Sequence, residues 1–197
     1  MHKIELEIVA LSHSITQSNS YAVILGEVGG SRRLPIVIGG FEAQAIAVAL
    51  ENMHPSRPLT HDLMKNFMTS FDIALQEVYI CDLQEGIFYS KLVCFTANDT
   101  IEIDSRTSDA LALAVRFGCP IYVYENILDQ AGVASEQVQT ETASSPIDNN
   151  PTKKGNDLSS LTLSELNDLL NEVLEQEDYI KAIDIRDEIA KRNASKK

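Results

Sequence analysis

Two short polar runs carry the groups that could do chemistry in this chain. Residues 57–62 read Arg-Pro-Leu-Thr-His-Asp and bring the Arg57 guanidinium, the His61 imidazole and the Asp62 carboxylate close together. Residues 104–109 read Asp-Ser-Arg-Thr-Ser-Asp, with Asp104 and Asp109 flanking Arg106, Thr107 and Ser108. Each run stands ahead of a helical pattern, and a helix N-terminus offers free backbone N–H groups to an anion such as phosphate. Two carboxylates at one junction could hold Mg²⁺ or Mn²⁺ with several waters retained, and such an ion activates water for phosphodiester attack. A third carboxylate, Glu42, follows Gly39 and Gly40, which permit close backbone approach to a ligand. The same residues also serve structural ends. Thr60 can cap a helix beginning at His61, with Arg57 paired to a carboxylate and His61 on the surface. Ser105, Thr107 or Ser108 can cap the next helix, Asp104 can pair with Arg106, and Glu42, Asp62 and Asp109 can complement helix dipoles. Spacing alone leaves both readings open.

The elements that would position these groups come in two matching sets. Ile101–Val115 lies without a gap on Ile36–Leu50 at a shift of 65 positions, so that Ile36 and Ile38 fall on Ile101 and Ile103, and Ala45 and Ala47 on Ala110 and Ala112. Both copies read strand, polar junction, apolar helix, and the junctions differ where the framework agrees. Ile4–Leu11 alternates with the period of a half-buried strand, Tyr21–Val28 is a second, and Gly29, Gly30 and Ser31 turn the chain into a third at Leu34–Ile38. Pro35 requires an edge or a first position. The following helix, Phe41–Glu51, is apolar on almost every face and must be covered all round; its alanines allow close packing against a sheet, against its repeat partner or across a subunit interface, and the need for so much cover points to a homo-oligomer. After Pro55 and Pro58, the helix from His61 carries Leu63, Met64, Phe67, Met68 and Phe71 on one stripe. Strands at Ile73–Ile80, Gly86–Phe95 and Thr100–Ile103, a helix Ser108–Phe117 stopped by Gly118, and a strand Pro120–Tyr124 complete the second set. The fold class is therefore α+β: internally duplicated β-β-β-α units forming a sheet packed with apolar helices.

The remainder of the chain has a different character. Residues 134–157 lack aromatic side chains, are rich in Ser, Thr, Asn and Pro, and read as a disordered linker. Residues 158–197 carry two helical stripes, Leu163, Leu166, Leu170, Val173 and Leu174, then Tyr179, Ile180, Ile183, Ile185 and Ile189, with Asp178 placed to cap the second helix. Such an αα-hairpin is short for burying its own stripe, so a protein partner or a second copy is expected. The 197 residues carry a net charge of −13, which disfavours non-specific binding to a polyanion; contact with nucleic acid would need a local cluster of Arg57, Arg106 and Arg116, or a divalent ion. Cys81, Cys94 and Cys119 are odd in number and without C-x-x-C spacing, so they read as small core residues. The first residues contain charges and no long apolar run, which argues against a membrane span and for a cytoplasmic protein. No G-x-G-x-x-G, P-loop, H-E-x-x-H or nucleophile elbow occurs.

The blocks LPIVIGGFEAQAIAVALE, RPLTHDLM, GIFYSKLV, IEIDSRTSDALALAVRFGCPIYV and ENILDQAGV, in that order over residues 1–133, closely resemble the bifunctional nuclease domain family. The resemblance implies a duplicated α+β domain that oligomerises and cleaves DNA and RNA with a divalent metal, Mg²⁺ or Mn²⁺. On it, Asp104, Asp109, His61 and Arg106 are candidate catalytic residues, Arg57 and Ser108 candidate substrate contacts, and Asp104, Asp109, Glu42 and Asp62 candidate metal ligands. Val37 departs from the pattern, standing where a large aromatic residue is expected. The block EDYIKAIDIRDEI, residues 177–189, is similar to the UVR motif, a helical hairpin of excision-repair nuclease subunits and Clp-type chaperone systems, and implies protein docking. Two functions from different classes follow: a nuclease with a C-terminal interaction hairpin, or a non-catalytic oligomeric adaptor for a repair or Clp-type proteolysis partner.

Overall fold

The computed structural model describes residues 2–13, 20–97, 99–134, 161–175 and 179–194. The chain divides into two compact units, Met1–Ser144 and Ser145–Lys197. Among the described residues the first unit runs β1 (Lys3–His13), β2 (Ser20–Glu27), β3 (Arg32–Gly39), α1 (Gly40–Leu50), α2 (Thr60–Ser70), β4 (Ala74–Gln84), β5 (Ile87–Phe95), β6 (Thr100–Arg106), α3 (Thr107–Phe117), β7 (Ile121–Tyr124), α4 (Glu125–Ala131) and β8 (Val133–Ala134). The second holds α5 (Leu163–Glu175) and α6 (Tyr179–Ala194). Eight strands form one sheet in the order β6-β5-β4-β7-β1-β2-β3-β8, a mixed architecture of the α+β kind.

Hydrophobic alternation explains the strands. In β3, Leu34, Ile36 and Ile38 are buried while Val37 between them is exposed, so the departure at Val37 falls on the outer face. The tight turn between β2 and β3 uses Gly29 at φ +75°, a conformation costly to a residue with a Cβ. Strands β1, β2 and β3 form the expected antiparallel meander. Pro35 is tolerated because β8 pairs only with Arg32 and Arg33, leaving β3 an edge at the proline. Strand β7 joins the halves, parallel to β4 and antiparallel to β1. Helix α4 and strand β8 extend the fold beyond the last strand expected from the sequence.

Helix α1 is covered over most of its length by its own chain: Ala43, Ala45, Ile46, Ala47 and Val48 are buried, with α3 as its main neighbour and β2 and β3 beneath it, while Phe41 at its start and Leu50 at its end are exposed. The α2 stripe is open as well, since Leu63, Phe67 and Phe71 are exposed and only Met68 of α2 is buried. Cys94 is buried as expected and burial raises its thiol; Cys81 and Cys119 are half-buried, and all three are free thiols. Helix α3 ends at Gly118, φ +67°, whose N–H donates to the Ala114 carbonyl at 2.8 Å, as the glycine there predicts.

In the second unit, Leu166, Val173, Ala182 and Ile185 form a buried cluster with Leu161, Leu169, Leu170 and Ile189 packed around it. The two helices thus bury more of their stripe than length alone suggests, and Ala182, absent from the expected stripe, takes a central place. Thr162 and Glu165 close a reciprocal cap on α5, with the Thr162 N–H donating to the Glu165 carboxylate at 2.7 Å. The linker reading lies outside the described residues except at Ala134, and so does Asp178. Among the described residues no helix is long and apolar enough to cross a membrane.

Candidate functional site

Helices α1, α2 and α3 each carry a carboxylate at the third residue, Glu42, Asp62 and Asp109, where the unsatisfied N–H groups of a first turn favour negative charge. The three helices run the same way. Glu42 and Arg106 meet at one end of α1 and α3, His61 and Asp109 at the same end of α2 and α3, and the Lys65 ammonium reaches the Arg116 carbonyl further along. Their N-termini are therefore gathered around one cluster, with the positive ends of three dipoles together.

The cluster is a chain of charge-assisted hydrogen bonds. Arg106, the last residue of β6, donates from Nε to Asp109 Oδ2 at 2.8 Å, from Nη2 to Asp109 Oδ1 at 3.1 Å and from Nη1 to Glu42 Oε1 at 3.0 Å. His61 Nε2 lies 3.0 Å from Asp109 Oδ1. Burial pushes the Asp109 carboxyl up, but the hydrogen bonds from Arg106 and His61 outweigh it and hold the group below the usual carboxylate range. An ionised Asp109 only accepts, so Nε2 of His61 bears the proton and Nδ1 is the nitrogen left to exchange one. Arg106 is 68% exposed on its side chain, so this bidentate cation is presented to solvent; His61, at 15%, is largely enclosed. Gly39 makes room for the arrangement, because a Cβ there would stand 2.5 Å from Glu42 Oε2.

Beside this chain lies a second pair. Arg116 donates from Nε to Asp62 Oδ1 at 2.6 Å, and Asp62 Oδ2 accepts from the Leu59 N–H at 2.9 Å. Burial raises the Asp62 carboxyl, and these bonds overcome it to leave the group lowered. A family model for the bifunctional nuclease domain matches residues 23–136. The chain belongs to the bifunctional nuclease domain family. It is similar to an uncharacterized protein of Mycobacterium tuberculosis, 43% identical over 129 residues that span 66% of this chain and 77% of the relative. It is also similar to bifunctional nuclease 1 of Oryza sativa subsp. japonica, 27% identical over 117 residues, spanning 57% of this chain and 35% of the rice protein. Bifunctional nuclease 2 of the same plant is 26% identical over 112 residues, 55% of this chain and 34% of its own length.

Within the bifunctional nuclease domain, the structure brings together Glu42, His61, Arg106 and Asp109, and sets Asp62 beside them through Arg116. It does not bring Asp104 into the cluster. Strand β6 runs on through Arg106, so Asp104 is an exposed strand residue opposite Lys91 and not part of a junction loop. Ser108 is buried in the first turn of α3. Arg57 is exposed in the segment before α2 and makes no hydrogen bond or ion pair among the described residues. Three local readings are corrected. The N-cap of α2 is Leu59, not Thr60, and the third-residue carboxylate of Asp62 serves that end instead. None of Ser105, Thr107 and Ser108 is the N-cap of α3, a place taken by Arg106; Thr107 is turned inward, its hydroxyl 2.7 Å from Ser90 Oγ and donating to the Phe88 carbonyl at 3.0 Å. Arg106 pairs with Asp109 and Glu42, not with Asp104. Arg116, grouped with Arg57 and Arg106 as a possible phosphate contact, is 5% exposed on its side chain and committed to Asp62. Its role escaped sequence reasoning, although a lone arginine in the otherwise apolar ALALAVRF was the available signal.

Proposed function

We propose that this chain is a nuclease acting on the phosphodiester bonds of DNA or RNA, with His61, Asp109 and Arg106 as its working centre. The observation that carries the reading is the His61–Asp109–Arg106–Glu42 chain at the joined N-termini of three parallel helices. Asp109 holds the imidazole by Nε2, so that Nδ1 serves as the base for the attacking oxygen or, protonated, as the acid for the leaving one. Arg106, already oriented by Asp109, meets the non-bridging oxygens of the phosphate and takes up charge that grows in the transition state. Phosphate competes with Glu42 for Nη1, and the helix N-termini favour the same anion. Arg57, exposed and unengaged among the described residues, supplies a further phosphate contact.

A divalent ion was expected from the resemblance. Among the described residues no group of three or more His, Cys, Asp or Glu side chains is placed to hold one. The Arg106 guanidinium bridges Glu42 and Asp109, so these donors as arranged do not fit a cation. Asp104, on the same side of β6 as Arg106 by strand alternation, is the remaining acidic neighbour of the proposed centre. We further propose that the chain self-associates, on the exposed α2 stripe of Leu63, Phe67 and Phe71 together with the exposed Phe41 of α1, and that residues 158–197 form a UVR-like hairpin docking to a protein partner.

The test is incubation of the purified chain with single- and double-stranded DNA and RNA, with Mg²⁺, with Mn²⁺ and with EDTA. Cleavage should be lost in His61→Gln and in Asp109→Asn. Activity unchanged in both single variants and in the Asp104→Asn, Asp109→Asn double variant refutes this centre. The EDTA arm decides the metal question. The net charge of −13 together with the open α2 stripe favours one rival, the non-catalytic adaptor. An adaptor leaves every polynucleotide intact and retains a protein partner through residues 158–197 in a pull-down.

A further inference from the structure

Arg116 is the most enclosed charged side chain in the three-helix layer. It sits in the last turn of α3 and forks across all three helices: Nε donates to Asp62 on α2 at 2.6 Å, while Nη1 donates to the Ala45 carbonyl on α1 at 2.8 Å and to its own helix at Ala112 at 3.0 Å. Nη2 is buried without a hydrogen-bond partner among the described residues. A guanidinium held this way is a costly means of filling space, because an apolar side chain of similar volume avoids both the desolvation of the cation and the unpaired N–H. What the cation adds over an apolar residue is direction. Its carboxylate partner, Asp62, spends its second oxygen on the Leu59 N–H, which fixes the first turn of α2. His61 lies inside that turn, between Leu59 and Asp62, and Asp109 lies two turns before Arg116 on α3 itself. One arginine thus sets the turn that carries the imidazole against the helix that carries its carboxylate.

We propose that Arg116 is a positioning residue for the His61–Asp109 pair, acting through Asp62, and that Asp62 is its counter-ion rather than a metal or substrate ligand. The consequence for cleavage rests on the nuclease reading above; the geometric part does not. Arg116 touches no reacting atom in this scheme. A small rotation of α2 suffices to open the 3.0 Å contact between His61 and Asp109.

The experiment is a coupling cycle read on the ring nitrogens of His61 in the full chain labelled with ¹⁵N-histidine, the signal assigned by loss in His61→Gln. Asp109→Asn is introduced into the wild type, into Arg116→Met and into Asp62→Asn, at one pH. The expected result is that Asp109→Asn moves the His61 ring signals in the wild type and moves them by less than about half as much in the other two backgrounds, since a contact already displaced has little left to lose. Asp62 is 31% exposed and its amide keeps the side-chain volume, so this arm decides the proposal even where Arg116→Met fails to fold. An Asp109→Asn effect of full size in Asp62→Asn overturns it. Where the wild type cleaves a polynucleotide, Asp62→Asn should lower kcat by about 10- to 100-fold, the cost of a misplaced catalytic group, with KM within about twofold. A rise in KM of that size instead identifies Asp62 as a substrate contact and overturns the second half of the proposal. Absence of cleavage by the wild type counts against the nuclease reading alone, and the ring signals still decide the role of Arg116.

Discussion

Replacing Asp109 by asparagine tests the electrostatic account of the cluster apart from any activity. The substitution removes one negative charge and keeps the shape. Three hydrogen bonds change: two from Arg106, at 2.8 and 3.1 Å, and one from His61 at 3.0 Å. The Arg106 pair is largely exposed, so solvent screening leaves it about 0.5–1 kcal/mol. The enclosed contact to His61 and the position in the first turn of α3 add about 0.5–1 kcal/mol more, since an asparagine oxygen still accepts one bond. Asp109→Asn should therefore destabilise the fold by about 1–2 kcal/mol at pH 7, a fall in Tm of roughly 3–8 °C. The pH dependence fixes the sign. The folded-state carboxyl is lowered, so its contribution is fully present above the unfolded value, near pH 4, and is lost as pH falls through the folded value. The gap between wild type and Asp109→Asn should thus shrink as pH falls from about 4 toward 3. The groups facing Asp109 are Glu42 from α1, His61 from α2 and Arg106 from β6; all are present in both proteins. The assay is urea unfolding followed by tyrosine near-UV circular dichroism, a signal dominated by Tyr21, Tyr79, Tyr89, Tyr122 and Tyr124 of the first unit. A gap that persists unchanged to pH 3, or widens there, refutes an ionised, hydrogen-bonded Asp109.

Other perturbations check separate parts of the structure. Thr107→Val leaves the buried Ser90 hydroxyl without its 2.7 Å partner and should cost about 1–3 kcal/mol in urea unfolding, whereas adding Ser90→Ala should restore part of that loss, a coupling visible as non-additivity. Gly118→Ala forces a Cβ into φ +67° and should lower stability by about 1 kcal/mol, with no change in the His61 ring signals. Arg57→Ala should weaken polynucleotide binding and reduce the slope of log K against log salt by about one, as loss of one phosphate contact requires; an unchanged slope removes Arg57 from the interface. Phe67→Ser with Phe71→Ser should lower the mass seen by light scattering if the α2 stripe joins two copies, while an equal mass before and after excludes that surface.

Much of the framework was legible because it is periodic. Alternation marked β1, apolar runs between turn signals marked β2 to β5, and Gly118 marked the end of α3, since these signals are local and governed by backbone geometry. The polar set was legible only as residue types. The acid at the third position of each helix satisfies a dipole wherever that helix lies, so nothing in Glu42, Asp62 or Asp109 announces that the three N-termini meet. Only the meeting turns ordinary first-turn carboxylates into partners for Arg106, His61 and Arg116. Two local signals were misread for a related reason. Thr60 and Thr107 have cap chemistry, but the carboxylate of Asp62 reached the end of α2 first, and burial against Ser90 drew Thr107 inward. The apolar helix α1 announced that it must be covered, but a one-dimensional reading cannot apportion the cover between the sheet, its repeat partner α3 and a second copy; α3 and the sheet take most of it and leave Phe41 exposed.

The −13 charge takes on a different weight in this light. A uniformly acidic chain repels a polyanion at long range, yet the proposed centre holds its carboxylates in pairs, each offset by a guanidinium and lying over a helix N-terminus. At contact distance the exposed group is Arg106, not its acids. Long-range repulsion acts on the rate of encounter and is screened within about 10 Å at 0.1 M salt, whereas the bidentate cation acts within a few ångströms. Binding of a polynucleotide should then strengthen as salt rises from about 10 to 100 mM, when repulsion is being removed, and weaken above that, when counterions compete for Arg106 and Arg57. The two branches separate under mutation: Arg106→Met should make the fall at high salt shallower, leaving the share that belongs to Arg57, and should leave the rise at low salt. Fluorescence anisotropy of a labelled single strand measures both. A monotonic decline from the lowest salt in the wild type shows that attraction, not repulsion, governs the approach, and removes the premise that the acids of this chain act at a distance.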